Sequence, residues 1–317
     1  MRVLLDSNVW RYIADADAAG RLQALARKRG HRIAIAPPVI YEALRMQDAT
    51  LRRHLCEVMT RPAWDRLMPD AYSEAVEFKQ EVRRLRPAWV RETPDLMYFK
   101  RLRSDWRKPT GGFWSRARQM PEREHEKLSA LDGDMMPCAR ANAARQRKGI
   151  ADSDRAVLDT SLDAIVGQPS ESVDGWDGEP VSIWRLHAWS FMTEALQNTA
   201  SPHYEWLSGE VDLTLALFRS GDWTRFWFYE VEANRLPRFW LRSAFEFMQS
   251  FYKVTDGTPV DAQLGSYAVE ADVVVSADRR FTAMCQRCQH EAPFRVGDVL
   301  KVGGGRTGVE ELLAFLD

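Results

Sequence analysis

GTPVDAQLGSYAVEADVVVSAD, residues 257–278, opens on a glycine turn and carries an unbroken β-branched run, Val273-Val274-Val275, straight into Asp278, with a second carboxylate at Asp261. A short apolar run bounded by turn residues reads as a strand buried on both faces, the habit of strands in parallel sheets. Thr258 and Pro259 ahead of Asp261 fit the start of a helix, since proline suits a first turn whose N–H has no partner anyway. Ala271 to Ser276 then reads as strand and Arg279 to Cys288 as helix. Beyond it, Pro293 to Val296 is predicted as strand and Val309 to Leu316 as a closing helix.

The N-terminal end repeats the pattern. Val3-Leu4-Leu5 breaks at Asp6-Ser7-Asn8 into a helix with Val9, Tyr12 and Ile13 on one face and Asn8 as its N-cap. A helix from about Ala18 to Arg29, a strand in RIAIAPP and a helix opening on the two prolines follow. Strands alternating with helices at both ends predict one parallel α/β sheet built from the two ends of the chain.

The middle differs. Of 12 tryptophans, 11 lie between Trp64 and Trp240, and the segments there carry helical periodicity. The expected organisation is therefore a sheet domain in two parts, 1–58 and 256–317, interrupted by a mainly helical insertion over 59–255, far longer than an ordinary connection. Within it, residues 79–118 hold 12 Lys or Arg against four acids, and residues 151–180 hold eight acids against Arg155 alone. The second segment ends in GQPSESVDGWDGEP, a loop by composition; an acidic loop facing a basic track would be autoinhibitory. The aromatic residues Phe226, Phe239, Trp240, Phe245, Phe247 and Phe251 sit at helical apolar spacing and are expected in the core. Such Trp-rich layers suit packing onto the sheet domain or onto another copy of the chain.

At 317 residues, 45% hydrophobic, 28% charged and a formal net charge of -1, the composition is that of an ordinary globular protein and excludes a disordered or strongly basic one. No stretch approaches a membrane span, and no signal-peptide layout precedes the first strand, so the cytoplasm is the expected compartment. Cys56, Cys138, Cys285 and Cys288 are too scattered for a disulfide scaffold. Cys285-x-x-Cys288 with His290 lacks the second ligand pair of a zinc site, leaving reduced thiols on a helix.

Ligands of open α/β sheets collect at the carboxyl ends of the strands. Asp6 and Asp278 each follow a strand directly, Glu42 lies early in the helix after RIAIAPP, and Asp261 lies in the first turn of the helix before the later strand. Four carboxylates gathered at one edge repel one another unless a cation sits among them, and hard divalent ions such as Mg²⁺ favour oxygen donors. Such an ion would lower the pKa of a bound water for attack on phosphorus. Taken singly, each acid has a plainer reading: Asp6 ends a strand, Glu42 faces solvent, and Asp261 and Asp278 cap helices. Asp256 is an accessory candidate.

These segments, VLLDSNVW, APPVIYEALR and DAQLGSYAVEADVVVSADRRF, resemble the successive acidic motifs of PIN-domain nucleases. The resemblance covers about 120 residues, 1–55 and 257–317. It implies a parallel sheet sandwiched by helices, Mg²⁺ or Mn²⁺ dependence, and hydrolysis of RNA, as in the toxin ribonucleases of toxin–antitoxin pairs. An antitoxin or other regulatory protein would then be a partner. It implies Asp6, Glu42, Asp261 and Asp278 as catalytic metal ligands, with Asn8 and Ser276 as supporting hydrogen-bond groups. Small members of that family lack the long insertion. Arg279 and Arg280 stand beside the cluster, where guanidinium groups could hold a scissile phosphate. Arg101, Arg103 and Arg107 lie in the basic run, interleaved with aromatic rings as in a nucleic-acid track. Two alternatives stay open: a PIN-like binding module without catalysis, and a structure-specific DNA nuclease, since two-metal carboxylate chemistry does not itself choose the sugar.

Overall fold

The computed structural model describes residues 1–131, 159–251 and 258–317. In chain order the elements are β1 (Arg2–Leu5), α1 (Ser7–Asp15), α2 (Ala19–Arg29), β2 (Arg32–Ile35), α3 (Pro37–Arg45), α4 (Ala49–Met59), β3 (Asp65–Arg66), α5 (Asp70–Leu85), α6 (Leu96–Arg107), α7 (Phe113–Gln119) and α8 (Pro121–Leu131). After these come β4 (Val166–Gly167), β5 (Val181–Ser182), α9 (Ile183–Gln197), α10 (Pro202–Leu207), α11 (Leu213–Phe218), α12 (Ser220–Arg225), α13 (Pro237–Ser250), α14 (Thr258–Gly265), β6 (Val273–Ser276), α15 (Arg279–Glu291), β7 (Asp298–Lys301) and α16 (Gly305–Leu316).

β3, β2, β1, β6 and β7 form, in that order, one sheet in which every pairing is parallel. The apolar runs explain it: Val3, Leu4, Leu5, Ile33, Ala34, Ile35 and Val273 to Val275 are all buried, as strands covered on both faces by helices must be. The two chain ends meet at its centre, where Leu5 pairs with Val275.

Three local expectations change. The last strand is Asp298–Lys301, not Pro293–Val296: Pro293 has no N–H for the ladder, whereas Asp298 to Lys301 pairs residue for residue with Val273 to Ser276. Asp6, not Asn8, caps α1, its carboxylate accepting from Ser7 N at 2.6 Å. β3 is a two-residue edge strand inside the expected insertion, too short to show a period.

Contacts divide the chain into two units, and their boundaries depart from 58 and 255. One holds residues 1–69, 104–141 and 254–317; the other holds 70–103 and 142–253. Residues 104–131 thus go with the sheet. Trp106 and Phe113 pack edge-on against Tyr41 of α3, and His125 bonds the Leu44 carbonyl.

The second unit has its own core. Phe78 stacks on Trp227 at 5.7 Å, with Trp89, Trp223, Phe226 and Phe239 around them. Phe239, Trp240, Phe245 and Phe247 are buried as expected, and Phe251 is half-buried. The same unit buries an ionic network: Glu74 accepts from His203 Nε2 at 2.6 Å and Arg242 Nε at 2.8 Å, while Arg242 also reaches Asp70 at 2.7 Å.

Among the described residues no helix is long and apolar enough to cross a membrane. Cys56, Cys285 and Cys288 are buried free thiols, and burial pushes all three above the ordinary thiol range, Cys56 to about 12. Cys138 and Asp256 lie outside the described residues.

Candidate metal centre at the carboxyl edge of the sheet

The register sets the site. Because Leu5 pairs with Val275, the next residues, Asp6 and Ser276, emerge side by side at the carboxyl edge of the two central strands. Ser276 Oγ donates to Asp6 Oδ2 at 2.5 Å, and Asn8 Nδ2 donates to the same oxygen at 2.6 Å. Asn8 Oδ1 accepts from Ala277 N at 3.0 Å, and Ser276 Oγ also accepts from Asp278 N at 2.9 Å. Asp6 is thereby fixed by donors from both central strand ends. Burial still raises its pKa above the usual carboxylate value, with Asp278 adding to the effect and the bonds from Ser276 and Ser7 opposing it.

Glu42 lies in the second turn of α3, whose start after β2 is set by Pro37 and Pro38. It is half-buried, and its pKa is raised first by that burial and further by the charge of Asp6, while a hydrogen bond with Ser7 and the charge of Arg45 lower it. Ser7 therefore serves Asp6 with its amide and, at 3.3 Å, its hydroxyl, and its side chain also bonds Glu42. Ser7 was not among the residues singled out from sequence. The available signal was a hydroxyl at the first helical position directly after a strand-end acid.

Asp261 completes the group from α14, which packs on α3. Its pKa is pushed up to about 8 by burial, then by the charges of Asp6, Glu42 and Asp278. Among the described residues no hydrogen bond offsets that charge. Asp278 begins the chain's turn into α15, and its Oδ1 accepts from Arg280 N at 2.6 Å and Phe281 N at 2.9 Å, so it does cap a helix. Asp278, Arg279 and Arg280 are exposed. The structure thus brings Asp6, Asn8, Glu42, Asp261, Ser276 and Asp278 to one edge, with Arg279 and Arg280 next in the chain. Arg101, Arg103 and Arg107 lie on α6 and are taken up below.

Glu270 and Asp272 stand at the opposite end of β6, where Asp272 accepts from Arg2 N at 2.7 Å and Arg295 at 2.9 Å and Glu270 lies 3.5 Å from Arg2. Their role is to tie the strand starts together.

As placed, no group of three or more His, Cys, Asp or Glu side chains among the described residues could hold a metal ion. The donor set itself suits a hard divalent cation: four carboxylates, two of them held by neighbouring hydroxyl and amide groups, and one left with an uncompensated charge. What these residues define is a parallel α/β sheet with an acidic carboxyl edge. No protein-family model matches the chain, and neither a curated protein nor a solved structure matches it.

Proposed function

We propose that the protein is a metal-dependent endoribonuclease with a PIN-like sheet domain, hydrolysing RNA phosphodiester bonds at Asp6, Glu42, Asp261 and Asp278. The observation that carries this reading is the convergence of Asp6, Glu42, Asp261 and Asp278 from four separate elements at the carboxyl edge of the central strands, close enough that the charges of the other three raise the pKa of Asp261. A cluster so arranged is costly to a bare fold and gains from a divalent cation.

The four acids would hold Mg²⁺ or Mn²⁺. Bound there, the ion would supply Lewis-acid polarisation of the phosphoryl group and a water of lowered pKa. The chain's own contributions are separable. Ser276 and Asn8 hold the Asp6 carboxylate in one orientation, and Ser7 links Asp6 to Glu42. Asp278 keeps one oxygen on the α15 N-terminus, leaving Oδ2 for the site. Arg279, exposed and next to Asp278 in the chain, would take a phosphate oxygen. An antitoxin-like partner and a toxin or defence role belong to this reading as extensions of the family resemblance.

A second reading is favoured by one observation: Asp6 and Asp278 are both helix caps. In that case the acids serve folding and the protein is a binding module. Cleavage of RNA carrying 2′-O-methyl groups decides between chemistries. Hydrolysis by water needs no 2′-hydroxyl, so the nuclease reading expects Mn²⁺-dependent cutting of both modified and unmodified RNA, lost in Asp278→Asn. Cutting that requires the 2′-hydroxyl, or no cutting with any metal, would remove it.

A further inference from the structure

Ten of the 12 cations in the basic run of residues 79–118 are sorted by the fold into two sets. Lys79 and Arg83 bind Glu210 at 2.6 Å each, Arg84 binds Glu81 at 2.6 Å, and Arg86 binds Asp222 at 2.9 Å and Glu230 at 2.7 Å. Arg116 binds Asp105 at 2.6 Å. These cations are each neutralised by a carboxylate of the protein, Lys79 in the interior and Arg83 and Arg84 at the surface. Lys100, Arg101, Arg103, Arg107 and Lys108, on α6 and the residue after it, make no ion pair among the described residues. They are exposed apart from Arg103, which is half-buried and whose Nε is shielded from solvent with no hydrogen-bond partner.

Helix geometry puts the second set on one side. Lys100, Arg103 and Arg107 are spaced i, i+3, i+7, and Arg101 and Lys108 follow the neighbouring line at i, i+7, giving a cationic face about 10 Å long between Lys100 and Arg107. The opposite side is used up. Phe99 stacks on Tyr72 at 5.8 Å, and Trp106 lies against Phe113 at 4.3 Å. That arrangement decides the occupant. A helix lying on a membrane keeps its apolar stripe free for lipid; here the aromatic stripe is packed against protein and only the charged side is open, apart from Leu96 and Met97 at its first turn.

We infer that this face of α6 docks the phosphate backbone of single-stranded RNA. The choice of ligand rests on the nuclease reading; the face itself does not. Free guanidinium and ammonium groups in a row replace the counterions of a polyanion, so the contact is salt-sensitive and indifferent to base identity. Of the ring side chains, Tyr98 lies under the Arg101 guanidinium at 5.3 Å and steadies it.

The test is fluorescence anisotropy with a labelled oligouridylate in EDTA, where metal-dependent cutting is off, for wild type and the triple variant Lys100→Ala, Arg101→Ala, Arg107→Ala. The variant should bind at least about tenfold more weakly, and the slope of log affinity against log salt should fall by about 2. Oligoadenylate should behave like oligouridylate. Arg84→Ala, which removes a cation already paired, should leave the slope unchanged. Equal affinity and slope for wild type and triple variant would overturn the assignment, as would triple-sensitive binding to phosphatidylserine vesicles with none to RNA. Wild type that binds as described yet cuts nothing with Mn²⁺ keeps the docking face and removes only the nuclease reading.

Discussion

Asp261→Asn isolates the charge that distinguishes a cation site from a set of helix caps. In the folded chain Asp261 keeps its proton to about 8, against 3.8 for the free side chain. The folded value is the higher one, so the stability contributed by this group is complete below pH 3.8 and is lost as pH rises through 8. One pKa unit corresponds to about 1.4 kcal/mol, so wild type in EDTA should lose roughly 2 kcal/mol relative to Asp261→Asn between pH 6 and pH 8. For domains of this size that is a Tm difference growing by about 4–8 °C over the interval. Saturating Mn²⁺ should recover the loss in wild type and do much less in the variant, because only wild type has the carboxylate whose ionisation the cation rewards. Differential scanning fluorimetry of both proteins, in EDTA and in Mn²⁺, reads all four curves. Parallel pH profiles for the two proteins, with equal Mn²⁺ shifts, would refute the reasoning.

Three further outcomes follow from other parts of the molecule. Ser276→Ala removes a donor from buried Asp6 and should cost about 1–3 kcal/mol in urea unfolding while lowering the cleavage rate; unchanged stability would mean that the Asp6 carboxylate does not depend on β6. Glu74, lowered to about 2 chiefly by Arg242 and His203 against its burial, contributes stability that is present above pH 4.5 and lost as pH falls towards 2. Glu74→Gln should therefore flatten the acid limb of the stability curve and, by removing one of the two carboxylates that hold buried Arg242 while Asp70 remains, destabilise the protein at neutral pH by about 1–3 kcal/mol; an unaltered acid limb would contradict this. Trp227→Ala opens the aromatic core of the second unit and should cost about 3–5 kcal/mol in denaturant unfolding, whereas a loss below about 1 kcal/mol would mean that the ring is not packed as described.

What the sequence disclosed followed from how local each signal is. The central strands β1, β2 and β6 could be read because burial on both faces leaves an uninterrupted apolar run, and each runs into a turn residue where the helix begins. Asp6, Glu42, Asp261 and Asp278 could be placed at one edge for the same reason, since parallel strands deliver all their carboxyl ends to one side. β3 was hidden because two residues have no period, and β7 because Asp298 and Lys301 make an edge strand with a mixed pattern. Asn8 was misread as a cap because both it and Asp6 are good N-cap residues; only the register of Leu5 with Val275 shows that its amide is engaged with Asp6 and Ala277. The sorting of the basic run was out of reach altogether. Lys79, Arg83 and Arg86 are neutralised by Glu210, Asp222 and Glu230, more than 100 positions away in the chain.

The acidic segment 167–180 is a loop for most of its length, as expected, and its contacts are within its own unit. Asp174 accepts from Ser220 Oγ at 3.1 Å, the Trp176 indole donates to the Glu179 carbonyl at 2.7 Å, and Asp177 N donates to Tyr229 Oη at 2.9 Å. Gly175, at φ 83, meets the backbone of Gly221 so closely that a Cβ there would lie 2.2 Å from the Gly221 oxygen. The loop is fastened to its own unit by these contacts.

The central claim is that the carboxylates at the sheet edge cut nucleic acid with a divalent ion. Its most direct measurement is the cleavage rate of total RNA and of single-stranded DNA by wild type, Asp6→Asn and Asp278→Asn in Mn²⁺, Mg²⁺ or EDTA. Metal-dependent cutting of RNA by wild type, abolished in both variants while each keeps its folded-state spectrum, is the expected result. Cutting that survives either substitution, or a wild type inert towards RNA in every metal, would contradict it.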